Sequence, residues 1–394
     1  MPVGKDDPHR VVADELHVIR PQCIGRHAGR RQDRERIPLQ LVPQFASFGR
    51  RTPPPQMRHG IERLSPVGPD DAQPLRPIQI QMRRCNAHAG AEDIILTTMS
   101  DAPVQCRNAA DELVEAMRAK GTCACVGIDP VLEMLPDGLP DGTGEAVTGD
   151  PASRIEAFCT QVLDAVADIV PAVKFQSACF ERFGAGGMAV LERTVAHARD
   201  MGLIVLHDAK RGDIGISAEH YAAATFDELN AHWITASPYL GRETLEPYLS
   251  RGGVFVLVRT SNPGADDLQT LALKDGRTVA DATADMVAAL GASHIGEHGR
   301  SSVGAVVGAT RPGEAEQVRN RMPEAMLLVP GIGAQGGTLE SCRALCGDDG
   351  CGALFPASRS VLYAFHNTTG PWTSAITEAA VAMAEAAGTM AGLR

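Results

Sequence analysis

The sequence predicts a (β/α)8 barrel, and three observations carry that prediction. Eight short apolar runs recur through the chain from about residue 104 onward. These runs are continuous rather than alternating, as expected of parallel strands covered on both faces. Most are separated by amphipathic or Ala-rich stretches long enough for a helix. Eight strand–helix units over about 290 residues suit a barrel, which typically needs about 250. A doubly wound open sheet is the structural competitor. It commonly uses fewer strands, and no GxGxxG opens the first unit here.

The elements follow in order. "DELVEAMRAKG" has apolar residues at 113, 114 and 117 and ends on Gly121, which predicts a helix closed by glycine. "TCACVGIDP" is the first apolar run and ends on an acid. The eight runs are 122–128, 168–175, 203–208, 232–236, 254–259, 303–308, 326–330 and 352–355. "RIEAFCTQVLDAVA", "GGMAVLERTVAHARDMG" and "VADATADMVAALGA" are predicted helices between them. Asp129, Lys174, Asp208, Ser237, Ser261, Thr310, Gln335 and Arg359 each fall at or just after the end of a run. Barrel enzymes assemble their sites at that end.

The first 98 residues differ from the rest. They hold 14 Arg against 1 Lys, 12 of the 26 prolines and no Tyr or Trp. Their formal charge is +4, against −15 for 99–394. Eleven acids in this stretch argue against a nucleic-acid-binding arm and against a transit peptide. The expected organisation is therefore a low-order Arg/Pro-rich extension over 1–98 and a barrel domain over 99–394. The abrupt change in composition further suggests that translation begins at Met99.

No apolar run approaches 18 residues, so no transmembrane helix is expected. No signal-peptide pattern opens the chain, so a cytoplasmic protein with its ten cysteines reduced is expected. Cys342, Cys346 and Cys351 lack a CxxC companion, and no zinc site is expected there. Cys123 and Cys125 read as buried small residues.

"LHDAKRGDIG", residues 206–215, carries the chemistry. Asp208 and Lys210 are two apart, so strand alternation predicts both side chains on one side. Asp213 follows between Gly212 and Gly215, which allow a sharp turn. Lys174, in "AVKFQ", ends the neighbouring run. Two lysines and two aspartates in alternation hold each other ionised. Lys210 then serves as a proton donor, and Asp208 repels an anionic group placed against it. This arrangement suits loss of a carboxylate followed by protonation of the carbanion, with no metal or organic cofactor. The plainer alternative is a salt-bridge network that only ties loops together. "LLVPGIGAQGG" and "LFPASRSVLYA" add glycine-rich backbone and Arg359 after strands seven and eight, a common phosphate site in barrels.

These residues resemble the orotidine 5′-phosphate decarboxylase family. "VLHDAKRGDI" is similar to its D-x-K-x-x-D signature, and "GIDP", "VKFQ", "TSNPGA", "PGIGAQGG" and "SRS" follow in family order over roughly 104–385. The wording of "GIDPVLEMLP" and "SPYLG" resembles a bacterial subgroup with actinobacterial and myxobacterial members. The resemblance implies decarboxylation of orotidine 5′-monophosphate to uridine 5′-monophosphate. It implies that Lys210 protonates C6, that Asp208 faces the departing carboxylate, and that Lys174 binds ribose and holds the array. Asp129 is implied to accept a ribose hydroxyl, Ser261 to contact the pyrimidine, and Gln335, Gly336 and Arg359 to hold the phosphate. Asp213, with Ile214 and Ser217, is implied to reach the neighbouring subunit's site, hence a homodimer. No cofactor, nucleic-acid or membrane partner is implied. Mg2+-dependent sugar-phosphate enzymes of the same superfamily share D-x-K-x-x-D but resemble one another in placing Glu, a ligand for the ion, where this chain has Lys174. A non-catalytic phosphate-binding barrel is the remaining alternative.

Overall fold

Each apolar run becomes a parallel strand, and the strands close in sequence order. They are β1 (Ala124–Ile128), β2 (Ala172–Gln176), β3 (Ile204–Arg211), β4 (Trp233–Ala236), β5 (Gly253–Arg259), β6 (Ser301–Val307), β7 (Ala325–Leu328) and β8 (Ala353–Ala357). β8 returns to β1, with Phe355 opposite Ala124. The computed structural model describes residues 107–139, 149–309, 312–332 and 338–394. The 1–98 extension and the start at Met99 lie outside the described residues. Every residue of β1, β4, β6 and β7 is buried, as two-sided burial of a parallel barrel strand requires.

The helices among the described residues are α1 (Ala109–Lys120), α2 (Pro151–Val166), α3 (Ser177–Glu181), α4 (Gly184–Asp200), α5 (Gly215–Ala223), α6 (Glu246–Leu249), α7 (Asp266–Gln269), α8 (Val279–Gly291), α9 (Pro312–Arg321), α10 (Arg359–Leu362) and α11 (Trp372–Ala391). α1 shows why the local sequence is helical. Asn108 caps its start by accepting the Ala110 N–H, and acids occupy the first turn, where the helix dipole favours them. Leu113, Val114 and Met117 form its buried stripe, and Gly121 at φ 62° ends it.

Packing is complementary between neighbouring strands. Trp233 stacks on Phe255 at 4.3 Å. Gly253 faces Trp233 in the ladder, and a Cβ there would overlap the indole. At the amino end of the barrel, buried Arg319 donates to the carbonyls of Ala325, Leu345 and Gly352 and so ties α9 to the starts of β7 and β8. Cys123 and Cys125 are fully buried, as expected. Among the described residues no helix is long and apolar enough to cross a membrane.

Candidate active site

The carboxyl ends of β1, β2 and β3 bring four charged groups into one row. Lys210 Nζ lies 2.7 Å from Asp208 Oδ1, and Lys174 Nζ lies 2.9 Å from Asp208 Oδ2. Lys174 Nζ also reaches Asp129 Oδ1 at 3.4 Å. The row is therefore Lys210–Asp208–Lys174–Asp129. Lys174 and Asp208 are buried, whereas Lys210 opens to solvent. Barrel register explains the meeting. Lys174 pairs with Gly127 on one side, and Asp208 pairs with Gln176 on the other.

Two features of the row go beyond what the linear sequence shows. First, Lys210 meets Asp208 as expected, but through an irregular stretch and not through regular strand alternation. β3 runs on to Arg211, and its register against β4 shifts between His207 and Arg211. Within that irregular stretch Lys210 has φ 47°, a left-handed conformation that costs a non-glycine residue about 1–3 kcal/mol. Thr235 on β4 stabilises it. Its Oγ1 accepts the Lys210 backbone N–H at 2.9 Å and donates to Asp208 Oδ1 at 2.8 Å. Second, within one chain the other aspartate that meets Lys174 is Asp129. Asp213 is part-exposed and its carboxylate accepts the backbone N–H of Ile214.

Burial alone would raise the Asp208 carboxyl. The Lys174 and Lys210 ammonium groups outweigh it and hold Asp208 well below the usual carboxylate range. Burial likewise opposes charge on Lys174, but Asp129 and Asp208 keep that ammonium above its ordinary value. Two carboxylates facing one gap would suit a hard cation; the Lys174 ammonium fills that place instead. Behind the row, on the outer face of β3, His207 bridges Thr225 Oγ1 and Ser177 Oγ, each at 3.1 Å. Burial, then Arg211, lowers His207 to about 4.

The remaining predicted residues distribute around the mouth. Ser237 follows β4 and donates its N–H to the Arg211 carbonyl at 2.7 Å. Ser261 follows β5 and packs closely against Gly308, where an added Cβ would lie 2.9 Å from its own Cβ. Ser217 lies in the first turn of α5, and Ile214 precedes that helix at 60% exposure. Arg359 is exposed and is itself the first residue of α10, rather than standing ahead of it. Ser358, just before it, packs against Gly127 so tightly that a Cβ at 127 would overlap its Oγ. Thr310, Gln335 and Gly336 lie outside the described residues.

Thr235 and Tyr363 were not singled out from sequence. Tyr363 Oη accepts the Val131 N–H at 2.7 Å and donates to the Asp129 carbonyl at 3.3 Å, pinning the segment that bears Asp129. A buried Thr in an apolar strand and a half-apolar Tyr read as core in any periodicity. Only the charged strand next to Thr235 offered a signal.

The fold and this charged mouth define a (β/α)8-barrel enzyme with an open ammonium set against a buried anion. Comparison with known proteins narrows the class. Residues 122–343 match the model of the orotidine 5′-phosphate decarboxylase / HUMPS family, and the chain belongs to that family. The orotidine 5′-phosphate decarboxylase of Rhodopirellula baltica is 42% identical over 267 residues, covering 65% of this chain and 88% of that protein. Its counterpart in Roseiflexus sp. RS-1 is 44% identical over 247 residues, covering 62% and 85%. Among solved structures, Leishmania donovani OMP decarboxylase superposes with a TM-score of 0.58 at 32% identity, covering 72% of this chain and 99% of that one.

Proposed function

We propose that this chain decarboxylates orotidine 5′-monophosphate to uridine 5′-monophosphate, the last step of de novo pyrimidine nucleotide synthesis. The observation that carries the reading is the Lys210–Asp208–Lys174–Asp129 row at the barrel mouth of a chain in this family. Asp208, held as an anion, opposes an orotate carboxylate placed against it. When the bond from C6 to that carboxylate breaks, carbon dioxide leaves and the electron pair stays on C6. The Lys210 ammonium gives C6 a proton, and the amine regains one from water. The lysines supply the positive charge, so no metal or organic cofactor takes part.

Binding of the remote ribose and phosphate offsets the cost of seating the carboxylate beside Asp208. Lys174 and Asp129 take the ribose, Ser261 the pyrimidine, and Gln335, Gly336 and Arg359 the phosphate. Asp213, Ile214 and Ser217 serve the neighbouring subunit's site in a homodimer. In support, Ile214, Ile216 and Tyr239 are apolar side chains exposed by 60%, 69% and 79% around this rim. A cytoplasmic location accords with the free thiols of all seven described cysteines.

The test is incubation of the full chain with orotidine 5′-monophosphate and a chelator, following uridine 5′-monophosphate. Stoichiometric product is expected. Lys210→Ala is expected to lower kcat at least about 100-fold, the usual contribution of a positioned acid, while product binding stays measurable. No product from folded protein rejects the reading, and near-normal turnover by Lys210→Ala rejects the proton donor.

A further inference from the structure

We infer that Thr235 is a positioning residue for this reaction, and that its hydroxyl sets where the Lys210 ammonium points. The inference rests on the decarboxylase reading above. Its observations are a closed ring of hydrogen bonds and a break in the strand ladder.

The ladder between β3 and β4 pairs His207 with Ile234 and then Arg211 with Ala236. Four steps along β3 thus span two steps along β4. The ladder is regular on either side, with His232 N–H to the Val205 carbonyl at 2.9 Å and Ser237 N–H to the Arg211 carbonyl at 2.7 Å. Inside the gap Lys210 has no register partner on β4, and Thr235 Oγ1 accepts its N–H at 2.9 Å. Thr235 is 1% exposed, so water does not substitute for it.

A hydroxyl has one proton and two lone pairs. Thr235 spends its proton on Asp208 Oδ1 at 2.8 Å, and that same oxygen accepts Lys210 Nζ at 2.7 Å. The ring runs from the Lys210 backbone through Thr235 and Asp208 to the Lys210 ammonium. It holds both ends of one side chain, and it holds Lys210 at φ 47°. Without the hydroxyl, the backbone is free to relax to a commoner conformation, which swings the ammonium away from its place. Asp208 Oδ1 keeps one donor, and Oδ2 stays with Lys174. Of the proposed ribose and phosphate contacts, Asp129 and Arg359 share no described hydrogen bond with Thr235, and Lys174 meets the other oxygen of Asp208. The hydroxyl therefore acts on the chemical step and not on substrate capture.

The test is steady-state kinetics of wild type, Thr235→Val and Thr235→Ser on orotidine 5′-monophosphate. Valine keeps shape and removes the hydroxyl; serine keeps the hydroxyl. Thr235→Val is expected to lose ~10- to 100-fold in kcat with KM within about threefold, the scale set by a misplacement near 1 Å. Thr235→Ser is expected to recover most of that loss. Trp233, fully buried on the same strand, reports by its fluorescence whether β4 remains packed. If the valine variant does not fold, Thr235→Cys, which matches the serine variant in shape but has a much weaker hydrogen-bonding group, carries the same expected loss. An active wild type matched in kcat by Thr235→Val overturns the inference alone, as does a loss that serine fails to recover. A folded wild type with no turnover overturns the site reading and this inference together.

Discussion

Asp208 and His207 are chain neighbours on opposite faces of β3, and they face opposite electrostatic problems. Asp208 is buried as an ion because two ammonium groups flank it. His207 is buried as a neutral ring. Ser177 gives its proton to Glu181 at 2.8 Å, so its oxygen accepts from His207 Nε2–H, while Thr225 donates to Nδ1. The histidine is lowered to about 4, below its unfolded value of about 6.5. Between those values the unfolded chain binds the extra proton. Stability from this group is therefore present above about pH 6.5 and lost as pH falls toward 4, by roughly 3 kcal/mol in all. Asp208, also depressed, loses its contribution only below about pH 4, where the unfolded carboxyl begins to protonate. Acid destabilisation should thus begin with the buried histidines, His207 and His232, and not with the charged row. Urea unfolding at a series of pH values checks this: His207→Gln is expected to flatten the dependence between pH 6.5 and 4 by about one proton's worth, ~1.4 kcal/mol per pH unit. An unchanged slope would show that His207 does not titrate as described.

At the scale of elements, the join between β1 and β8 governs the side of the mouth proposed to hold the phosphate. Gly127 lies against Ser358, which leads directly into α10 and Arg359. A methyl group at 127 forces Ser358 aside and displaces Arg359 with it. Gly127→Ala is expected to raise KM on the order of tenfold with a smaller change in kcat, because a remote binding contact moves and the proton donor does not. Adding Ser358→Ala removes the overlapping oxygen and should return part of the lost affinity; a double variant no better than the single one refutes this route. The strands themselves were legible in the sequence because continuous apolar runs have no other economical use in a barrel. β3 was legible only to Asp208. "AKRG" carries no glycine at 210 to announce a left-handed residue, and the register shift that places Lys210 there depends on β4. The charged row was legible for the same reason that it is costly: buried ions at a strand end need partners. Thr235 and Tyr363 were not, because their work is done by one hydroxyl each on side chains that also suit a core. The resemblance implies only a ribose role for Asp129; its place beside Lys174 depends on the pairing of β1 with β2.

At the scale of the whole molecule, the row is closed within one chain, yet Asp213 stands outside it. It sits part-exposed beside Ile214 and Ile216, at a rim too apolar to be left to water without cause. In the proposed homodimer each site takes Lys174, Asp208 and Lys210 from one chain and Asp213 from its partner. That division makes a sharp prediction from two inactive proteins. Lys210→Ala and Asp213→Ala homodimers are each expected to be strongly impaired. When the two are unfolded together and refolded at equal amounts, half of the dimers are hybrids by random pairing. One site of each hybrid then lacks both groups, while the other has an intact Lys210 from one chain and an intact Asp213 from the other. Turnover is expected to return to about a quarter of wild type per chain, as two-fold symmetry with one working site per hybrid requires. If Asp213 instead serves its own chain, one hybrid site lacks the lysine and the other lacks the aspartate, and mixing restores nothing. Sedimentation of the mixture, run beside the assay, separates that outcome from a failure of the subunits to pair.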